Sequence, residues 1–144
     1  MRTELRKHVT QMSAVEKKFI HCRIRTKRAE VNIDNVNIGY HANEMMKTRP
    51  RFDINLPIIV DTIKHSMFYE YKIIKEGDKI VDERVLLRSK KSHKGSNVII
   101  IYSLMWNKVI TVWCNSKDDN HSALDYSLYN KDMKIVGVVN WKSN

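Results

Sequence analysis

The chain has only two cysteines, two prolines and four glycines in 144 residues, and no apolar run in it approaches the length of a membrane span. Each scarcity excludes something. Cys22 and Cys114 stand far apart, with no C-x-x-C and no histidine at ligand spacing, so neither a zinc site nor a redox motif is suggested. Two reduced thiols in a cytoplasmic protein are the expectation. A spanning helix needs about 20 apolar residues, and Met1 to Ser13 is polar and mixed in charge, without the apolar stretch of a secretory leader. No membrane partner is expected. The chain also lacks a P-loop, a Rossmann glycine pattern, an H-E-x-x-H and a G-x-S-x-G. Its acidic residues are scattered, without the cluster that a two-metal nuclease needs. Neither metal nor cofactor is expected.

What the chain does have is positive charge. Twenty-six Lys and Arg oppose sixteen Asp and Glu, a formal net charge of +10 with a pI near 9.7. That balance makes a polyanion the leading class of partner, and nucleic acid the first within it. An acidic membrane surface fits less well, because no long amphipathic helix combines a basic face with bulky anchors such as Trp. A basic protein that merely stays soluble is the bland alternative. The length suits one domain, residues 1–144, able to bury a core without staples. The abundance of Lys, Asn and Ile has the look of an AT-rich genome, phage or bacterial.

From Thr3 to about Arg28, apolar residues fall at Leu5, Val9, Met12, Val15, Phe19 and Cys22, a helical spacing that predicts one helix or a helix pair. Ser13-Ala14-Val15-Glu16 has capping-box spacing, so a break near residue 13 fits. Residues 1–36 therefore read as a basic helical segment. Its end carries Lys17, Lys18, Arg23, Arg25, Lys27 and Arg28, equally a solvated face or a phosphate-contacting one. Asp34 to Gly39 reads as a linker, His41 to Arg49 as a short helix ended by Pro50, and about Pro57 to Ser66 as a second helix. The period then changes to two. Met67 to Ile74 and Val81 to Arg88 alternate as strands joined through Glu76-Gly77-Asp78. Val98 to Leu104 and Val109 to Trp113 are β-branched runs joined through Trp106-Asn107-Lys108. A last hairpin, Leu124 to Tyr129 and Ile135 to Trp141, occupies the C-terminal extension, residues 117–144. The pattern is α+β, helices first, packed on one face of an antiparallel sheet.

Few side chains here suit chemistry. On the first short helix His41 shares a face with Met45 and Arg49, beside an apolar edge of Ala42 and Met46. A histidine at the boundary of core and solvent can exchange protons near neutral pH; one that only fills space is the commoner case. His65 closes the next helix, and if the two helices pair as an αα-hairpin, both imidazoles face one cleft. His65 is equally well read as a capping cation on the helix dipole. Metal-free RNA cleavage needs a base, an acid and a cation for the developing phosphorane charge. Arg84, Arg88 and Lys90 project from one face of a strand, and arginine's fork fits phosphate, although Asp82 is placed to pair with Arg84. The run Lys90-Lys91-Ser92-His93-Lys94 reads as a basic, flexible loop for a nucleic-acid backbone, or as a solvated hairpin tip. Tyr102, Trp106 and Trp113 offer stacking planes, although strand aromatics more often belong to the core.

Two segments carry a resemblance. His41-Ala42-Asn43-Glu44-Met45-Met46 and Val109-Ile110-Thr111-Val112-Trp113 resemble the H-A-x-E-R-M and V-I-T-V-Y signatures of a family in the barnase and RelE-like ribonuclease superfamily. A looser similarity points to the RegB-type phage endoribonucleases, in which a histidine of the first helix and another near the end of the next are catalytic. The resemblance implies a RelE-like core over residues 37–116, with His41 and His65 as the catalytic histidines. It departs at Met45, where both groups carry an arginine, so Arg49, Arg84 or Arg88 would have to supply that charge.

The expectation is a metal-independent endoribonuclease, toxin-like or phage-encoded, that attacks through the RNA 2′-hydroxyl. His41 and His65 would be acid and base, Arg84 or Arg88 the transition-state cation, and Arg49, Lys90, Lys91, His93, Lys94 and Tyr102 the RNA contacts. RNA, free or ribosome-associated, would be the substrate, with an antitoxin or host protein open as a further partner. The alternative is a RelE-like scaffold without catalysis that binds nucleic acid or a host protein.

Overall fold

A computed structural model describes residues 2–48, 54–116, 129, 130, 133 and 135. Its frame is the antiparallel meander of β3 (Ser66–Glu76), β4 (Lys79–Ser89), β5 (Ser96–Ser103) and β6 (Lys108–Ser116). Mirror-image turns suit the twist of such ribbons and demand positive φ. Gly77 (φ 61°) supplies it between β3 and β4, and Lys94 (φ 51°) and Gly95 (φ 80°) supply it in the turn that His93 and Ser96 close before β5. β1 (Arg2–His8) pairs antiparallel with β3, and β2 (Asn37–Ile38) parallel with β6. The order is β1-β3-β4-β5-β6-β2. The fold is α+β, and its sheet is mixed where an antiparallel one was expected, because β2 runs alongside β6 rather than returning from it.

Strand alternation sorts the sheet into two faces. Phe68, Tyr71, Ile73, Val85, Leu87, Val98, Ile100, Tyr102, Val109 and Val112 turn to one side and join a single buried cluster with Ile20 and Ile24 of α1 (Ala14–Glu30), Ala42 of α2 (Tyr40–Thr48), and Ile59 and Ile63 of α3 (Leu56–Lys64). Each Val, Leu, Ile or Phe among them, fully buried, contributes roughly 1.5–3 kcal/mol. The other face carries no helix among the described residues. α1 begins at a capping box: the Glu16 amide donates to Ser13 Oγ (3.1 Å) and the Ser13 amide to Glu16 Oε1 (3.0 Å). α3 begins where the Ile58 amide donates to Asn55 Oδ1 (3.0 Å), with Pro57 in the first turn.

Three expectations change. Thr3 to His8 is strand, not helix; Leu5 and Lys7 turn inward, and a 3-10 turn at Val9–Gln11 separates β1 from α1. An inward lysine hid the alternation: Lys7 Nζ is buried, donating to Glu16 Oε1 (2.9 Å) and to the Met133 carbonyl (2.9 Å). The stretch read as a linker, Asp34 to Gly39, contains β2. α2 and α3 do not build an αα-hairpin, since α2 packs on β6 and α3 on β4 and β5. Of the expected C-terminal hairpin only Tyr129, in a bend, and Ile135, which is helical and not strand, are described; the rest of it, Arg49 and Pro50 lie outside the described residues. No helix among the described residues is long and apolar enough to cross a membrane.

Candidate nucleic-acid interface

Helix α1 turns about 100° per residue, which gathers Lys17, His21, Arg25 and Arg28 on one flank, with Lys18 beside them. The row extends about 16 Å at 1.5 Å per residue. Ile20 and Ile24, on the adjoining flank, point into the core, so the row borders the side of α1 that faces the start of β3.

Two further elements meet that flank. Arg28 Nε donates to the Ile63 carbonyl (2.8 Å), and its Nη2 to the Ser66 carbonyl (2.7 Å) and hydroxyl (3.0 Å). Lys64 Nζ returns to the Arg28 carbonyl (3.0 Å). These bonds tie α1 to the C-terminal end of α3, where His65 is exposed. The Lys90 amide in turn donates to the His65 carbonyl (3.3 Å), attaching the β4–β5 connection to the same place. That connection is fastened rather than loose. Ser89 Oγ donates to the Lys91 carbonyl (2.8 Å), Asn97 Nδ2 to the Ser89 carbonyl (3.2 Å), and His93 and Ser96 exchange backbone bonds. Lys90, Lys91 and Lys94 stand exposed on it.

Clustering distinguishes the cations of this edge, since Lys47, Lys79 and Lys108 elsewhere also lack a carboxylate partner among the described residues but stand apart from one another in the fold. Ion pairs among the described residues engage Arg6 with Glu70, Lys7 with Glu16, Arg23 with Glu83, Lys72 with Glu4 and Arg84 with Asp82. Lys17, Lys18, Arg25, Lys90, Lys91 and Lys94 have no such carboxylate partner among the described residues. The His21 imidazole senses the result: partial burial holds its pKa below the usual histidine value, and the charges of Arg28, Arg25 and Lys90 lower it further. Burial likewise lowers Arg28. Clustered, uncompensated cations are what a phosphate backbone neutralises on binding.

The residues expected to be catalytic do not converge. His41, exposed in the first turn of α2, follows Gly39, whose amide donates to the Val109 carbonyl (2.8 Å) at the start of β6. His65 precedes Ser66, which is level with Ser89, Val98 and Cys114 through the strand registers. Three strand spacings across and five residues along separate those anchor points, on the order of 20 Å. Arg84 and Arg88 point to the helix-free face. Arg84 Nε is paired with Asp82 Oδ2 (2.7 Å) and lines a cleft of about 410 Å³ with Arg6, Glu70, Lys72, Trp113 and Tyr129. Arg88 is buried, donating to Asn97 Oδ1 (3.0 and 2.9 Å) and to the Ser116 carbonyl (2.9 Å). It positions the asparagine that fastens the β4–β5 connection.

Of the expected RNA contacts, Lys90, Lys91 and Lys94 reach the basic edge, and His93 is half-buried within the same turn. Tyr102 is core. It is 1% exposed, its hydroxyl lies 2.5 Å from Asn107 Oδ1, and burial pushes its pKa up to about 12. It offers no stacking plane. Met45, where the signature has arginine, packs against the hydrophobic cluster. Sequence reasoning named Arg25 and Arg28 only as part of a charge run and passed over His21; their spacing on one flank was the available signal. No group of three or more His, Cys, Asp or Glu among the described residues is arranged to hold a metal. Compared with protein-family models, curated proteins and solved structures, the chain matches none.

Proposed function

We propose that this chain is an RNA-binding protein that grips a phosphate backbone along the edge built from α1, the end of α3 and the β4–β5 connection. The observation that carries this reading is the meeting, beside the end of α3, of exposed cations from α1 and the β4–β5 connection without carboxylate partners among the described residues. A RelE-like scaffold is the frame we infer for it. In its support, the two signature-like segments touch: α2, with His41 to Met46, packs on the strand that contains Val109 to Trp113. Fluorescence anisotropy with a labelled mixed-sequence RNA tests the reading. Affinity should fall steeply with salt, and the variant Lys17→Gln/Arg25→Gln/Lys90→Gln/Lys91→Gln should bind far more weakly. Equal affinity of wild type and variant would sink it, and salt-insensitive capture of a protein would favour a host factor or antitoxin instead.

A second reading, a metal-independent endoribonuclease, is favoured by one observation: His41 is exposed on the helix that packs on β6. RNA incubated in excess EDTA would then yield cyclic-phosphate ends with the wild type and none with His41→Ala. The separation of His41 from His65 and from both β4 arginines makes binding without cleavage our conclusion.

A further inference from the structure

The basic row contains one member whose charge is not fixed. His21 lies one turn after Lys17 and one turn before Arg25, in line with both. Its ring stands edge-on to Phe68, with centroids 4.8 Å apart and an interplanar angle of 77°. That contact holds the imidazole on the flank of α1 while the residue as a whole remains exposed. The charges that act on it are all positive: Arg25 and Arg28 from its own helix, and Lys90 from the β4–β5 connection. From β3 it meets an apolar ring, and α3 brings Lys64 and His65 to the same end of the molecule through the bonds to Arg28 and Lys90.

We propose that His21 is a phosphate-contacting residue of this interface and takes up a proton as the phosphate docks, so that RNA is bound more tightly as the pH falls below neutrality. The inference rests on the RNA-binding reading and adds its regulation. In the free protein, partial burial and three neighbouring cations favour the neutral ring. A phosphate laid along the row reverses the electrostatic part of that balance, because its charge offsets Arg25, Arg28 and Lys90 and its oxygen accepts a hydrogen bond from a protonated ring nitrogen. The bound state therefore holds a proton that the free state at neutral pH does not. By linkage, proton uptake on binding means affinity that rises as pH falls. The interface gains a cation at the moment when an anion is present to neutralise it.

The test uses the full chain and a uridine oligonucleotide. The His21 ring is titrated by NMR with and without RNA, and affinity is measured at about pH 7.5 and about pH 5.5, on either side of the ordinary histidine range, for wild type, His21→Gln and, as a control away from the edge, His41→Gln. The expected result is a His21 pKa higher by about one unit in the complex, hence up to roughly tenfold tighter binding at the lower pH. That gain should be largely lost in His21→Gln and kept in His41→Gln. An unmoved His21 titration with RNA bound, or an undiminished pH dependence in His21→Gln, overturns the role of His21 and leaves RNA binding standing. Absence of RNA binding at both pH values overturns the two together.

Discussion

Arg28 holds Ser66 twice, its Nη2 donating to the carbonyl (2.7 Å) and to the hydroxyl (3.0 Å) of the residue that begins β3. The same guanidinium reaches the Ile63 carbonyl through Nε (2.8 Å). It therefore has a structural duty that its neighbour Arg25 lacks. Arg28→Ala should destabilise the fold by roughly 1.5–3 kcal/mol, the range for hydrogen bonds made by a charged group. Arg28→Lys should restore little, because a lysine cannot reproduce the fork. Arg25→Ala should leave stability within about 0.5 kcal/mol and weaken RNA binding. Urea denaturation of the three variants checks the contrast.

Removing the β4–β5 cations should alter the salt dependence more than the fold. Each phosphate contact on a single strand contributes about 0.7 to the slope of log affinity against log salt, so Lys90→Gln with Lys91→Gln should reduce that slope by about 1.4. Lys94 needs a different substitution. It occupies positive φ (51°), so Lys94→Gly removes the charge and relieves the cost of that backbone conformation, whereas Lys94→Ala removes the charge and keeps the cost. Affinity measured across a salt series reads all of these changes.

Gly39 is required where β2 passes into α2. A Cβ there would lie 2.9 Å from the Val109 carbonyl oxygen and 3.2 Å from Lys108 Cε. The lysine end can move aside and the strand carbonyl cannot. Gly39→Ala should cost about 1–3 kcal/mol, as overpacking does. Hydrogen exchange should show the loss concentrated in α2 and the start of β6.

Acid should release the N-terminal pairing of Lys7 with Glu16. Burial pushes the Glu16 carboxyl up, but bonds from the Lys7 ammonium and from the Ser13 and Ile135 amides outweigh it and hold the pKa below the ordinary 4.5. A depressed carboxylate contributes its stability in full above the unfolded pKa and loses it as pH falls through the folded one. Wild-type stability should therefore decline below about pH 4.5, and Glu16→Gln should flatten that decline. At neutral pH the same variant leaves Lys7 buried without its carboxylate, a loss of about 3–5 kcal/mol. Denaturation midpoints measured over a pH series separate the two effects.

Much of the frame is local in origin and was readable in the sequence. The Ser13 and Glu16 spacing marks the start of α1, Pro57 the start of α3, and alternation from Met67 to Arg88 the first long hairpin. β1 was misread because its inward Lys7 is satisfied by Glu16, a partner across a turn, so apolar spacing imitated a helix. The interface was less legible for a related reason. Its cations are spread in sequence from Lys17 to Lys94, and it is Arg28 bound to Ser66, with Lys90 bound to His65, that brings them together. The supposed catalytic set failed in the opposite sense. His41 and His65 are near in sequence, but β6 holds one helix and β4 and β5 the other.

The ion pairs confined to β1, the helix-free face and the far flank of α1 have a consequence for how the molecule travels. Where each cation has its carboxylate, the local potential nearly cancels; at the α1, α3 and β4–β5 edge, among the described residues, it does not. That edge is thus a local concentration of positive charge on one side of the described part of the molecule. In the field of a polyanion such a body rotates before it touches, presenting one end first, and its encounters are oriented by torque rather than by chance. Raising the ionic strength shortens the reach of that torque to a Debye length of about 8 Å at physiological salt, so association should slow as salt increases.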